Sequence, residues 1–448
     1  MNKETIKIIL IAVLFSFIGV FEQSSLTIVL PKLSSVLHLE HYLVNIISIS
    51  FLLFCVASGL TLGKLVSKFG MIKIGKICTV LMIFTALIST FLLDKFIILF
   101  AKSIQGVCAS AFFLISYLIV VRYIEKEHMG FAIGFISAGA FLSVILAPII
   151  GGFLSYYLPP QFVFSVTVPL SVITLILLYT LKEEWKEDVN IDYIGTLIWI
   201  ISMVLFVYGI SFLNRILGLI CFLISFIFIA LFVYYELKIE DPLYNFRLLK
   251  NRVYACDNYS SMMGLFINDG LIFVLTLYLE YAGILTSVET GIFIGVLGVV
   301  MFISAPISGK LADKFDSRKL AIIGSAIMVV STLIILFKQF IPIRLFLIFI
   351  VILLIGYSVF DTLNKKIVLD SLDEANLSNG TAFLSTIRDL GALLPMAVYT
   401  LSLSVCNAFH FRLSYFEFTL EIMLGLFFLI ALSIFFLNLK SSKKENIV

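Results

Sequence analysis

The sequence predicts an all-helical protein that crosses a lipid bilayer many times, and three observations carry that expectation. The first is composition: of 448 residues, 61% are hydrophobic and only 13% charged, with a mean hydropathy of +1.14. Soluble domains carry about 25% charged residues, and a chain of this size has too little interior to hide so much apolar surface from water. The second is the length of the apolar runs. A bilayer core needs about 20 apolar residues per helix, and the runs here are long and unbroken rather than the short alternating segments of a closed barrel. Open sheets and irregular backbone are excluded in lipid, because their N–H and C=O groups find no water. The third is the placement of Lys and Arg, which fall between the runs and almost never within them.

Fourteen spans follow from these breaks, in order. Lys3 and Lys7 lead into the first span, 6–30; no small-residue cleavage site follows, so it reads as a membrane helix and not a removable leader. Lys32 opens the loop to the second span, 43–63, and a glycine-rich basic stretch separates it from the third, 74–93. Asp94-Lys95 is a two-residue hinge into the fourth, 96–121; Arg122 and Lys126 precede the fifth, 129–154, and the sixth covers 161–181. Lys182 and Lys186 come before the seventh, 192–213, and Asn214-Arg215 hinges into the eighth, 215–236. Lys238, Arg247, Lys250 and Arg252 mark the loop before the ninth, 254–280, which leads to the tenth, 289–309. Lys310, Lys314, Arg318 and Lys319 open the eleventh, 319–337, while Lys338 and Arg344 lie around the start of the twelfth, 342–361. Lys365 and Lys366 lead to the thirteenth, 379–404, Arg412 precedes the fourteenth, 416–439, and Lys440, Lys443 and Lys444 follow it.

Placing the N-terminus in the cytoplasm puts 23 of the 31 Lys and Arg residues on inner segments and 6 on outer ones, with Lys102 and Arg388 inside spans. That bias predicts cytoplasmic termini on both ends and an even number of crossings. The net charge of +3 offers no basic domain for nucleic acid. The six cysteines stand singly in apolar runs, without metal spacing or a disulfide framework. No G-x-x-x-x-G-K-[ST] loop supports ATP hydrolysis, and no triad or metal cluster supports an enzyme; no cofactor is expected.

Two stretches resemble each other, Gly63-Lys64-Leu65-Val66-Ser67-Lys68-Phe69-Gly70 and Gly309-Lys310-Leu311-Ala312-Asp313-Lys314-Phe315-Asp316. Each follows the second helix of a group of six if spans seven and eight are an insertion. Repeated halves are how many secondary transporters build a central site. The expected organisation is therefore 1–182 and 251–448 as six-helix bundles, with 183–250 as two inserted helices and a linker.

The second stretch, continued through Ser317, Arg318 and Lys319, resembles the G-x-L-a-D-r-x-G-r-[kr] loop of the major facilitator superfamily; the first copy has Ser67 at the aspartate position. Glu22 through Pro31 is similar to the D-x-T-I-V-N-V-A-L-P segment of the fourteen-helix drug:proton antiporters, with Glu22 for aspartate. Lys102-Ser-Ile-Gln105-Gly106 is similar to that branch's R-x-x-Q-G, and Gly139 through Gly152 to its G-x8-G-P-x-x-G-G, with Ala147 for one glycine. Asp192-Tyr-Ile-Gly195 and Glu240-Asp-Pro-Leu243 resemble the segments flanking the inserted helices. The resemblance implies the major facilitator fold and a proton-coupled secondary transporter exporting small amphipathic or cationic compounds by alternating access. Its partners would be substrate, protons and lipid, and it would act as a monomer in the plasma membrane of a prokaryotic cell. A dedicated single-metabolite transporter remains the alternative, as does a non-transporting sensor or lipid-handling protein on the same fold.

Ionisable groups inside a membrane are costly and mark function by default. Glu22 lies about 16 residues into the first span, roughly 24 Å from its inner end; it is a proton or cation site, or else it snorkels to the outer interface. A carboxyl group withdrawn from water favours its neutral form and can load and release a proton. Asp269, with Asn268 beside it, is the most central acid and is expected to bind substrate or proton or to be a hydrogen-bonded structural acid. Arg388 and Asp389 point about 100° apart on a helix, so Arg388 is expected to pair with a carboxylate elsewhere. Lys102, with Gln105 in the same motif, either assists a nearby acid or snorkels outward. Asp361 is expected at the cytoplasmic end of its span, in contact with water. Gly139, Gly151 and Gly152 are expected to allow close helix contact, with Pro148 bending the span. Gly63, Lys68, Gly70, Gly309, Asp313, Lys314 and Arg318 are expected to form cytoplasmic latches between helix ends.

Overall fold

A computed structural model of the chain describes residues 3–37, 41–182, 185–213, 215–281, 283–409 and 415–445. Asn214 and Arg412, used above as a hinge and an outer-loop charge, lie outside the described residues. Among the described residues, fourteen helical segments are long and apolar enough to cross a bilayer, the sixth of them only when taken together with the 3-10 segment before it. They are α1 (Lys3–Val36), α2 (His41–Phe69), α3 (Met71–Phe91), α4 (Lys95–Tyr123), α5 (Lys126–Tyr157), α6 (Thr167–Tyr179), α7 (Tyr193–Ser211) and α8 (Ile216–Glu236). The series continues with α9 (Arg252–Tyr281), α10 (Ser287–Ala312), α11 (Ser317–Leu336), α12 (Ile343–Asp370), α13 (Leu377–Phe409) and α14 (Tyr415–Glu445). Pro160–Val166 forms a 3-10 segment that runs into α6. An even number of crossings puts both described ends of the chain on one face, called here the terminus-bearing face.

The short hinges work because side chains cap the exposed helix ends. Asp94 accepts the Phe96 and Ile97 amides at 2.8 and 3.0 Å, so α4 starts at once after α3. Thr286 and Glu289 form a capping box at the start of α10, satisfying donors that lipid could not. Gly70 turns α2 into α3 at φ 92°, a backbone region that side chains disfavour. The twelfth helix departs from the expected span. It runs on to Asp370, because Ile367, Val368 and Leu369 are still buried and Lys365 is paired inside the helix instead of lying in a loop.

Helices α1–α6 pack around one apolar core that includes Phe15, Phe112 and Ile115. Helices α9–α14 surround another, with Ile267, Leu353 and Phe427 at its centre. The α7–α8 hairpin packs on itself and touches α2 and α13. Lipid tails offer no hydrophobic gain to helix pairing, so small residues that let backbones approach decide where helices meet. The two groups join along α5–α10 and α2–α13. A Cβ on Gly309 would lie 2.2 Å from the Gly130 carbonyl oxygen, and one on Gly63 would lie 2.6 Å from the Ala382 side chain. Toward the other face the groups part: a Cβ on Gly152, Gly291 or Gly295 would meet nothing within 4 Å. The α5–α10 seam is thus tight toward the terminus-bearing face and open toward the opposite one.

Gly309→Ala should pry this closure open, since the added methyl meets backbone that cannot rotate away. A cysteine placed at Ser137, which is buried under Lys365 of the other half at 3.2 Å, should then be alkylated several-fold faster in a cysteine-free background. Equal labelling rates with and without Gly309→Ala would mean that this contact does not hold the halves together.

Candidate functional site

Among the described residues, titratable side chains inside the bundle gather in several places, three of which bear on the candidate site. At the junction of the halves, Asp361 of α12 is buried and held from both sides. Its Oδ1 accepts Arg388 Nη1 of α13 at 2.5 Å, and its Oδ2 faces Lys365 Nζ at 2.6 Å. Lys365 also donates to Ser137 Oγ of α5 at 3.2 Å, across the interface. The Tyr117 ring of α4 lies 5.8 Å from Lys365 and the Phe113 ring 5.8 Å from Arg388, so aromatic faces complete the cations' surroundings. The water-facing position expected for Asp361 is corrected here: nine further residues of helix follow it, and both its oxygens are spent on cations.

Two more acids flank Arg388 within Coulombic reach. Asp269 of α9 is half-buried and accepts Asn268 Nδ2 at 2.8 Å. Asp389 is also half-buried and accepts the Cys55 thiol of α2 at 3.2 Å. Arg388 and Asp389 do point apart, as consecutive helical residues must, and each meets a different helix. The junction therefore holds three carboxyl groups, Asp269, Asp361 and Asp389, against two cations, Lys365 and Arg388. An unmatched carboxylate is strongly unfavourable at low dielectric. The junction is one positive charge short of balance.

The second place lies within the first bundle. Glu22 is fully buried; its Oε2 accepts Lys102 Nζ at 2.7 Å and its Oε1 accepts the Thr167 hydroxyl at 2.5 Å. Lys102 sits 3.8 Å from the centroid of the Phe164 ring. Neither residue snorkels, because helices α1, α4 and the start of α6 enclose them. Gln105, one turn along α4, is buried, and neither end of its amide has a partner among the described residues. Such an orphaned amide offers both a donor and an acceptor to water or a ligand.

The third place is the tight end of the α5–α10 seam. Asp313 accepts the Gly130 and Phe131 amides near the start of α5 at 2.7 and 2.9 Å, where a helix presents positive charge. Burial pushes the Asp313 carboxyl above its usual range, although the two amide donors pull the other way. Acidification therefore neutralises it sooner than an ordinary aspartate. Arg318, expected in the same latch, instead faces into the second bundle, with Nη1 and Nη2 on Asp257 at 2.7 and 2.8 Å and Nη1 on Asn438 at 3.1 Å. Its position in the first turn of α11 is buried against α9 and α14, so the pair is formed within one half. Lys314 is exposed, Lys68 is half-buried, and Gly70 serves the turn.

The fifth-helix glycines split their roles. Gly139 seats α5 on α1, where a Cβ would lie 2.9 Å from the Val13 carbonyl, and Gly151 is buried. Gly152 and Pro148 are exposed, so the close contact expected at Gly152 is absent. The reason is the divergence of α5 from α10 toward that face. Lys365, Ser137, Cys55 and Thr167 escaped the sequence reading. Only Lys365 left a trace there, as a base four residues after Asp361, the spacing of a helical ion pair.

A family profile described as Major Facilitator Superfamily matches residues 12–396, and again residues 259–446. The uncharacterized MFS-type transporter YhcA of Bacillus subtilis is 26% identical over 223 residues, which is 48% of this chain and only 41% of that protein. The riboflavin transporter RibZ of Clostridioides difficile is 23% identical over 89% of this chain and 88% of its own length. The probable multidrug resistance protein EmrY of Escherichia coli is 20% identical over 58% of this chain and 52% of its own length. Among solved structures, the proton:xylose symporter XylE superposes with a TM-score of 0.70 at 15% identity, covering 96% of this chain and 95% of XylE.

Proposed function

This chain belongs to the major facilitator superfamily, and on that premise we propose that it is a proton-coupled exporter of small amphipathic or cationic compounds working by alternating access. It is a multi-pass membrane transporter with bacterial relatives; the plasma membrane with cytoplasmic termini is the topology proposed here. Residues 1–182 and 251–448 would be the moving halves, with 183–250 an insertion carried between them. The observation that supports the reading is the surplus carboxylate at the junction: three acids and two cations leave one negative charge, which either a proton or a cationic substrate balances, but not both at once. Mutual exclusion at one charge is the minimum a proton-for-cation exchange needs.

In the closed-inside form, Asp269 and Asp389 would load protons from the outer side, where the α5–α10 seam is open. Opening inward breaks the Asp313 cap and the Lys365–Ser137 bridge, and a cation arriving from the cytoplasm then displaces the proton. Glu22 with Lys102 would form a second protonation point, with Gln105 holding a water beside it. EmrY supports the drug-efflux form of this reading; RibZ, matched over most of its length, favours a dedicated metabolite instead.

The test is purified protein in proteoliposomes with an imposed pH gradient, offered a lipophilic cationic dye and, separately, riboflavin. Export of the dye coupled to proton movement, lost in Asp269→Asn, is the expected result. Dye transport indifferent to the gradient would sink the proton-coupled reading, and transport of riboflavin alone would favour the dedicated carrier.

A further inference from the structure

The inserted hairpin carries an acidic pair that the transport reading does not use. Asp192 precedes α7; its Oδ1 accepts the Ile194 amide at 3.1 Å and the Tyr235 hydroxyl at 3.3 Å. Its Oδ2 has no partner among the described residues. Glu236, the last residue of α8, is 3% exposed. Its Oε2 accepts the Tyr244 amide at 3.2 Å, while its Oε1 is also without a partner. Those two orphaned oxygens converge. Each lies 2.2 Å from the point that a Cβ on Gly195 would occupy, so they are separated by no more than twice that distance. Only glycine leaves room for them.

Two buried carboxylate oxygens cannot face each other as anions without strong repulsion. The surrounding charges do not resolve it. Lys64 of α2 is in Coulombic reach of Asp192, Glu236, Glu187 and Asp241 together. Arg122 takes Glu187 at 3.6 Å, which leaves one ammonium among three carboxylates. Tyr235 of α8 contributes a neutral donor, and Asn190 a weak one to Asp241 at 3.3 Å. A metal ion is a poor fit: among the described residues no group of three His, Cys, Asp or Glu side chains converges as one would require. A hydrogen between the two orphans makes one a donor and the other an acceptor, and satisfies both.

We propose that Asp192 and Glu236 form a proton-binding site, holding one proton between Asp192 Oδ2 and Glu236 Oε1 at the terminus-bearing end of the α7–α8 hairpin. The site lies apart from the junction acids and needs no transported compound. What it clamps is the strap that follows α8. Glu236 anchors Tyr244, whose ring stacks on Phe383 of α13 at 4.3 Å. Tyr244 also meets the Tyr254 hydroxyl at 3.4 Å, and Tyr254 donates to the Gly380 carbonyl at 3.0 Å. Helix α13 is the partner of α2 in closure. Loss of the shared proton sets two anions against each other beneath the strap and loosens its hold on α13.

The chain carries its own reporter. It has two tryptophans, Trp185 and Trp199, and Trp199 lies one turn along α7 from Gly195, its ring tilted against that of Phe232 with centroids 5.1 Å apart; Phe232 is itself one turn before Glu236. In full-length protein with Trp185→Phe, reconstituted without substrate, Trp199 emission should pass through a one-proton transition as pH is varied. Glu236→Gln and Asp192→Asn should each abolish that transition, since an amide cannot share a titrating hydrogen, while the Asp269→Asn variant keeps it. Emission that stays flat in the Trp185→Phe protein, or a transition that survives both carboxyl substitutions, would overturn the proposal. Neither outcome depends on transport, so failure of the exporter reading leaves this result standing.

Discussion

Replacing Arg388 by methionine should destabilise the protein by about 3–5 kcal/mol, the range for removing one partner of a buried ion pair. The residue left behind determines that cost. Asp361 keeps Lys365, but Asp269 and Asp389 lose the guanidinium within whose reach both sit, and the junction falls from one negative charge in surplus to two. Thermal unfolding in detergent should show a clear loss of stability, and transport should vanish. Arg388→Lys should recover most of the stability but not the rate, because an ammonium replaces the planar fork while the remaining acids still need its reach. Adding Asp361→Asn to Arg388→Met removes a charge of each sign, so it should restore stability toward wild type. A double variant no more stable than Arg388→Met alone would show that the pairing does not govern the fold.

How much of this was visible in the sequence depends on the kind of information each feature carries. Helix number and boundaries were legible because lipid imposes them locally: twenty apolar residues and a capped end need no knowledge of neighbours. Asp94 marks its turn by type alone, whereas Gly70, expected in a latch, serves the turn between α2 and α3. The acids at Glu22, Asp269 and Asp389 were legible as candidates because a charge in an apolar run is expensive wherever it points. Their partners were not. Glu22 and Lys102 are 80 positions apart, Cys55 and Asp389 are 334 apart, and one sequence holds no trace of such contacts. Asp361 was misplaced for a related reason: the two lysines after it ended the apolar run, yet Lys365 is consumed inside the helix by the very acid it seemed to strand. Arg318 was read by its motif and not by its surroundings, so its inward turn toward Asp257 was invisible.

The Glu22–Lys102 pair should separate stability from coupling more sharply than any other site. Both side chains are fully buried, so Lys102→Met leaves a carboxylate with only the Thr167 hydroxyl as donor. The single variant should lose about 3–5 kcal/mol at neutral pH. Glu22→Gln should strand the ammonium and weaken the protein similarly, with the Phe164 face as partial compensation. Combining the two leaves no buried charge, and a neutral pair of similar volume is often as stable as the ion pair it replaces. The double variant should therefore unfold near the wild-type temperature while losing any proton movement that passes through Glu22. Thermal denaturation of the four proteins, read beside proton flux in proteoliposomes, makes the distinction. A double variant that is stable and still couples fully would remove Glu22 from the proton path and leave the junction acids to carry it alone.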